Sequence, residues 1–243
     1  MKLETGNGEA VLVIEGLTKV FGGIRAVDGC SLSVASGSIT ALLGPNGSGK
    51  STFFNLVTGI DRPNAGSIQF LGRKIAHLKP YQIARLGIGR TFQLTRLFGR
   101  MTVLENLRVS DIDQEARSDG QDRLRDLLDL FNLWEHRDRY ASTLSYGQQK
   151  LLEFARAVIR QPRLVMLDEP FAGINRVMAQ KMVELIQHFQ SIGTTFFLID
   201  HEMKLVMQLC NRVHVMDFGQ IIASGDPDQI RSDPRVIEAY FGR

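Results

Sequence analysis

Apolar runs bounded by turn residues alternate along the chain with segments of helical period, the pattern of a largely parallel sheet covered by helices. Residues 39–43 (Ile-Thr-Ala-Leu-Leu) read as a buried strand, followed at once by a Gly-rich turn and a helix over about 50–58. Further buried strands are expected at 164–167 and 196–199. Between them, Met178, Met182, Leu185, Ile186 and Phe189 recur at the spacing of one face of an amphipathic helix. A hairpin is expected near the end of the chain, with 213–216 and 221–223 flanking a turn at 217–220. The middle differs in kind. Leu124, Leu127, Leu128, Phe131 and Trp134 share one helical face, and Leu151, Leu152, Ala155, Val158 and Ile159 share another, with no strand-like run between them. The expected architecture is therefore one α/β domain over 1–243, with a helical insertion at 94–160 between core segments 1–93 and 161–243. Internal repeats and low-complexity segments are absent from the sequence.

A length of 243 residues suits one such domain. Hydrophobic residues at 44% and charged residues at 23% exclude a disordered or fibrous chain. The longest unbroken apolar run covers only residues 10–14, and the start MKLETGNGEA lacks the basic and apolar stretches of a signal peptide. The chain is thus expected to be intracellular and to span no membrane. Two cysteines, Cys30 and Cys210, are too few for a disulfide framework or a zinc site. The net charge of +3 forbids no class of partner, but its distribution is uneven. Residues 62–104 contain no acid and carry +8, from Arg62, Arg73, Lys74, Lys79, Arg85, Arg90, Arg96 and Arg100. Such a stretch is expected to face something anionic or to form a solvated basic face.

Gly44-Pro45-Asn46-Gly47-Ser48-Gly49-Lys50-Ser51 fits G-x-x-x-x-G-K-[ST] after a strand and at the start of a helix. Glycines there let backbone N–H groups point inward around a phosphate, and the helix N-terminus adds partial positive charge. Lys50 is placed to hold β/γ-phosphate oxygens, and the Ser51 hydroxyl to ligate Mg²⁺. An ordinary Gly-rich turn is the plain alternative, but chance produces this pattern in only roughly one per cent of chains this long. The strand at 164–167 ends in Asp168 and Glu169, two acids at the carboxyl edge of a sheet, where phosphate sites of such folds lie. Asp168 suits Mg²⁺, and Glu169 suits the polarising of a water for in-line attack. Leu144-Ser145-Tyr146-Gly147-Gln148 opens another helix and is either an N-cap or a second anion cradle. One nucleotide needs only one such cradle from one chain, which hints at the nucleotide of a partner subunit. Asp111, Asp113 and Glu115 have calcium-loop spacing, but Ala116 stands where the sharp turn requires glycine.

Taken together, the phosphate loop, the Leu144 to Gln148 turn, the Asp168-Glu169 pair and His201 resemble the ATP-binding cassette ATPases over nearly the whole chain. The resemblance implies a P-loop NTPase core with a mostly parallel sheet, an antiparallel β subdomain and an inserted helical subdomain. It implies ATP and Mg²⁺ bound by residues 44–51 and Thr52, in a sandwich dimer with a second cassette, identical or different. By position, Gln93 resembles the glutamine that reaches Mg²⁺ and the attacking water, His201 the histidine at the γ-phosphate, and Phe21 the aromatic that stacks on adenine. Asp168 takes the place of the Mg²⁺-associated acid and Glu169 that of the catalytic one. Ser145, Gly147 and Gln148 would act on the partner's nucleotide.

Two positions depart from the usual family pattern: Tyr146 stands in place of Gly, and Asn175, after Ala172-Gly173-Ile174, in place of Asp. Both resemble the cassettes of bacterial branched-chain amino-acid importers. So do residues 85–93, Thr102-Val103-Leu104-Glu105-Asn106, and residues 233–242. That resemblance implies an energy-coupling ATPase, cytoplasmic and peripheral on the inner face of the membrane, attached to transmembrane permease subunits. A solute-binding protein would be an indirect partner, and no nucleic acid is expected. Arg96 and Arg100 are expected to help dock the permease. Urea or amide importers and lipopolysaccharide-type exporters are the alternatives, ahead of soluble cassettes acting on DNA or ribosomes and of a small-molecule kinase.

Overall fold

The computed structural model describes residues 9–111 and 120–241. Asp113, Glu115 and Ala116 lie outside the described residues, as do Gly242 and most of the N-terminal stretch. Two sheets organise the chain. In the first, β1 (Ala10–Phe21), β2 (Ile24–Ala35), β4 (Ala65–Phe70) and β5 (Arg73–Lys74) run antiparallel in the order β2-β1-β4-β5. The second has the order β10-β9-β3-β8-β7-β6, made of β3 (Ile39–Leu43), β6 (Ile88–Arg90), β7 (Leu164–Asp168), β8 (Thr195–Ile199), β9 (Arg212–Asp217) and β10 (Gln220–Gly225). Its strands are parallel except β10, which returns antiparallel on β9 through the turn at Phe218 and Gly219.

The second sheet is buried on both faces, which explains its continuous apolar strands. Ala41, Val165, Leu167, Phe196 and Leu198 face one core, whereas Leu42, Leu164, Met166, Phe197 and Ile199 face the other. The first core takes in α3 (Val103–Arg108), α4 (Gly120–Leu130), α5 (Tyr146–Val158), α6 (Arg176–Ser191) and α7 (Met203–Leu209). Phe154 links its layers, with ring centroids 5.4 Å from Phe131 and 6.0 Å from both Phe189 and Phe196. The second core holds α1 (Lys50–Val57) and α2 (Pro80–Arg85) together with the antiparallel sheet. Two short helices, α8 (Pro227–Ser232) and α9 (Pro234–Phe241), follow β10.

Register brings the functional strand ends together. Ile199 pairs with Leu42 on one side and with Asp168 on the other. The carboxyl ends of β3, β8 and β7 thus lie in one row, with neighbours about 4.8 Å apart. Among the described residues only helices and short 3-10 turns lie between β6 and β7, apart from one isolated bridge, Thr102 to Tyr140. The apolar face expected as one helix over 122–134 is split. α4 stops at Leu130, Asn132 takes φ 56°, and the amides of Leu133 and Asn132 bond the carbonyls of Leu128 and Asp129. This paired closure folds Phe131 and Leu133 back into the core, and Trp134 begins a separate 3-10 turn.

Candidate functional site: a phosphate loop facing two acids

Residues 44–49 connect β3 to α1, and their backbone could not be made from ordinary residues. Gly44 and Gly49 have φ of 154° and 107°, and a Cβ on either would stand 2.1 Å from a backbone carbonyl, Met216 O and Ala26 O respectively. Close approach by β9 and β2 therefore shapes the loop. Gly219, in the β9–β10 turn, donates its N–H to Ser48 O at 2.9 Å and accepts from Asp28 N at 2.7 Å, joining β2 to the loop. Lys50 is buried at the first position of α1, and its ammonium donates to Gly44 O (2.9 Å), Pro45 O (2.8 Å) and Ser48 Oγ (3.4 Å). Burial lowers its pKa, against the pull of Glu169 and Asp168. Asn46, Gly47 and Ser51 are exposed at the mouth of the loop, with Thr52 half-buried behind them.

Asp168 ends β7 with its side chain only 6% exposed. Arg90, at the end of β6 and 9% exposed, donates from Nη2 to Asp168 Oδ2 at 3.2 Å and from Nη1 to Thr58 Oγ1 at 2.6 Å. Burial raises the Asp168 pKa above the usual carboxylate value; Arg90 opposes the shift and Glu169 adds to it. Glu169 follows with φ 50°, a left-handed conformation that costs a non-glycine residue on the order of 1–3 kcal/mol. Its N–H donates to Ile199 O at 2.8 Å, and its carbonyl accepts from the buried ammonium of Lys150. On the side chain, Oε2 accepts from Gln93 Nε2 at 3.0 Å and lies 3.9 Å from His201 Nδ1. Asp200, 1% exposed, organises the loops around it by accepting from the amides of Phe171, His201 and Glu202.

Gln93, Glu169 and His201, widely spaced in the chain, thus meet at one carboxylate beside Asp168. Lys50 is close enough to the acid pair to sense both charges. The other expected residues stand apart. Phe21 lies at the end of β1, 45% exposed, with Lys19 Nζ 4.8 Å from its ring centre; its hairpin touches the phosphate loop through Ala26. Ser145 and Gln148 form a reciprocal cap at the start of α5: Gln148 N donates to Ser145 Oγ at 3.3 Å, and Ser145 N to Gln148 Oε1 at 3.0 Å. Gly147 lies against Met178, where an added Cβ would come within 3.0 Å of Cγ. Asn175 caps α6, accepting from Met178 N at 2.9 Å, a task that an aspartate performs equally well.

The basic stretch 62–104 is not one solvated face, because Arg90 points inward to Asp168. Arg96 lines a groove of about 780 Å³ between β6, the loop after it and α5, together with Arg85, Phe98, Arg156 and Arg160. Its guanidinium lies 4.0 Å from the centre of the Phe92 ring. Arg100 is exposed and is not part of the groove lining. Four residues of the site escaped the sequence reading as site residues: Arg90, Lys150, Glu153 and Asp200. The first three carry no local signal, since each finds its partner across a fold-dependent contact. Asp200, an acid at the end of a buried strand and next to His201, carried one.

Residues 27–172 match the model of the family described as ABC transporter. The chain belongs to that family. Residues 220–243 of this cassette also match the model described as branched-chain amino acid ATP-binding cassette transporter. The high-affinity branched-chain amino acid transport ATP-binding protein LivG of Salmonella typhimurium is 41% identical, over 96% of this cassette and 98% of its own length. BraF of Pseudomonas aeruginosa, similarly named, is 39% identical over 96% and 98%. Among solved structures, a nucleotide-free ATP-binding cassette from an ABC transporter aligns with a TM-score of 0.87, at 33% identity over 97% of this cassette and 100% of that chain. The ADP conformation of the cassette MJ1267 aligns at 0.86, with 34% identity and the same coverage. The cassette is accordingly an ATP-binding, ATP-hydrolysing component of a transporter. No described helix is long and apolar enough to cross a membrane.

Proposed function

We propose that this cassette energises the import of branched-chain or related amino acids, closing on a second cassette when ATP binds and reopening after hydrolysis. The convergence of Gln93 and His201 on Oε2 of Glu169, beside the phosphate loop, is the observation that carries the mechanistic part. The substrate class rests on the similarity of residues 220–243 to the branched-chain family and on the names of the relatives. In this reading residues 44–52 enclose the phosphates and Lys50 turns its ammonium to the β/γ oxygens. Glu169, held by Gln93, takes a proton from the attacking water, and His201 approaches the γ-phosphate. Phe21 stacks on adenine. Ser145, Gly147 and Gln148 act on the nucleotide of the companion cassette.

The donor set fits Mg²⁺, a hard cation that favours oxygen ligands. Ser51 offers a hydroxyl exposed at the first turn of α1, Asp168 a carboxylate at the end of β7, one strand removed from β3, and Gln93 an amide oxygen not used in its bond to Glu169. When bound, Mg²⁺ neutralises charge on the β- and γ-phosphate oxygens. We assign residues 94–160 to a helical subdomain and the groove beside it to the permease. The apolar and basic lining of that groove supports the assignment, with Arg96 inside it and Arg100 nearby. The cassette would then be peripheral on the inner membrane face, with a solute-binding protein as an indirect partner and no nucleic acid.

Glu169→Gln should bind ATP without turning it over, and gel filtration with ATP should show a tighter dimer, alone or with its companion cassette. No tightening in either setting refutes the sandwich mechanism. Reversing Arg96 and Arg100 together should reduce co-purification with permease while ATP affinity stays unchanged. Parallel loss of ATP binding refutes the docking role.

A further inference from the structure

The helix that begins at the Leu144 to Gln148 turn, α5, grips both sides of the Gln93–Glu169 pair. Glu153 of α5 is buried, and its Oε1 accepts from Phe92 N at 3.3 Å and Arg96 N at 3.1 Å, fastening the loop that carries Gln93. Lys150, one turn earlier on α5 and 4% exposed, donates to the carbonyl of Glu169. Gln93 Nε2 and Glu169 Oε2 then close a ring of contacts that starts and ends on one helix. Lys150 is held in turn from the other side. Its Nζ lies 5.6 Å from the centre of the Tyr146 ring, and that ring packs on Gly173, where an added Cβ would be 3.0 Å from Tyr146 Cε1. Tyr146 is the aromatic residue at a position where the family pattern has glycine. Its ring covers the ammonium and fills the space above the loop that follows Glu169.

We propose that Lys150 is a positioning residue for hydrolysis. Its ammonium fixes the carbonyl of Glu169, and with it the left-handed backbone that aims the Glu169 carboxylate at Gln93 and the phosphate loop. Because Lys150 stands on the helix capped by Ser145 and Gln148, a tilt of α5 moves the Glu169 backbone of the same chain. Engagement of the Leu144 to Gln148 turn with a companion's nucleotide is thereby transmitted to this chain's own carboxylate. The geometry supports this physically. An ammonium bonded to a carbonyl in a buried setting is a strong, directional link, and a backbone forced into a sparsely populated region needs such fixed points on both its N–H and C=O sides. Ile199 O and Lys150 Nζ supply the two. The inference rests on Glu169 being the catalytic carboxylate.

The test uses the transporter assembled with its companion cassette and permeases in lipid vesicles, comparing Lys150→Met, Lys150→Arg and Glu169→Gln. Lys150→Met is expected to lower kcat about tenfold or more with KM for ATP within about twofold, since the ground-state contacts to nucleotide are untouched. Lys150→Arg, which keeps the charge and a donor, should restore most of the rate. Adding Lys150→Met to Glu169→Gln should produce no further loss, because both act through one group. Tyr146→Gly, which uncovers Lys150 without removing it, keeps the question open to measurement if Lys150→Met does not fold; a fall in kcat at constant KM supports the proposal. Wild-type kcat in Lys150→Met, or in Tyr146→Gly where Lys150→Met does not fold, overturns it, as does a loss in the double variant that adds to that of Glu169→Gln. If Glu169→Gln itself hydrolyses ATP at the wild-type rate, the assignment of Glu169 fails. If Glu169→Gln is inactive and Lys150→Met is normal, only the role of Lys150 fails.

Discussion

Arg90→Met isolates the electrostatic support of Asp168. The substitution keeps much of the side-chain volume but removes the guanidinium that bonds Asp168 Oδ2 and Thr58 Oγ1. Thr58 keeps a partner, since its hydroxyl donates to Phe54 O at 2.8 Å. Asp168 does not fare as well: its carboxylate is left at 6% exposure facing Glu169. Removing one member of a buried pair costs about 3–5 kcal/mol. For a chain of 243 residues each kcal/mol shifts Tm by about 2–4 °C, so a loss of roughly 6–20 °C is expected. The pH dependence has a definite sign. The folded Asp168 pKa is already raised, chiefly by burial, so this group favours folding most below its ordinary value of 3.8 and progressively less as pH rises through the folded value. Without Arg90 the folded value moves higher and the window widens toward neutrality. The Tm deficit of Arg90→Met, read by thermal unfolding without nucleotide, should therefore be smaller near pH 5 than near pH 8. Adding Asp168→Asn removes the orphaned charge and should recover much of the loss. An equal deficit at both pH values, or a double variant no more stable than Arg90→Met, refutes the reasoning.

Three further outcomes follow from local geometry. Gly49→Ala puts a Cβ 2.1 Å from the Ala26 carbonyl at φ 107°, and should cost at least about 2 kcal/mol in a urea midpoint; an unshifted midpoint contradicts the loop geometry. Asn175→Ala should cost about 1 kcal/mol by losing the α6 cap, while Asn175→Asp stays within about 0.5 kcal/mol of the parent; equal midpoints for Ala and Asp refute the capping role. Burial pushes the Cys30 thiol up to about 11 and shifts Cys210 in the same direction, so both should resist a disulfide reagent at pH 8 until the protein unfolds, with native labelling at least about a hundredfold slower than that of a free thiol. Rapid native labelling of either cysteine contradicts its buried placement.

Elements whose cause is local are legible in the residues alone. A phosphate loop is written in adjacent residues because its glycines and its lysine act within one strand-to-helix turn. The strands at 164–167 and 196–199 are legible as unbroken apolar runs because the sheet is covered on both faces, leaving no polar alternation to confuse the pattern. By contrast, β1 and β2, each 12 residues long, were not read as strands from the residues, because repeated register shifts break their alternation. The end of α4 likewise departs from its apolar spacing. Its apolar spacing continues through Phe131, but Asn132 in the left-handed region ends the helix while the core still claims the side chains beyond it.

Which charges meet depends on how the elements pack in space. Counted along the chain, Arg90 was one of eight cations in an acid-free stretch; in space it is the buried partner of Asp168, 78 residues away. Lys150 and Glu153 read as ordinary members of a helix, yet they attach that helix to Glu169 and to the Gln93 loop. Sequence spacing records the periodicity of one element, whereas these contacts depend on the register of β7 against β6 and β8 and on the angle at which α5 crosses them. The chemistry was therefore visible from the residue types at the strand ends, and the means by which the fold holds it became visible only when the strands were aligned.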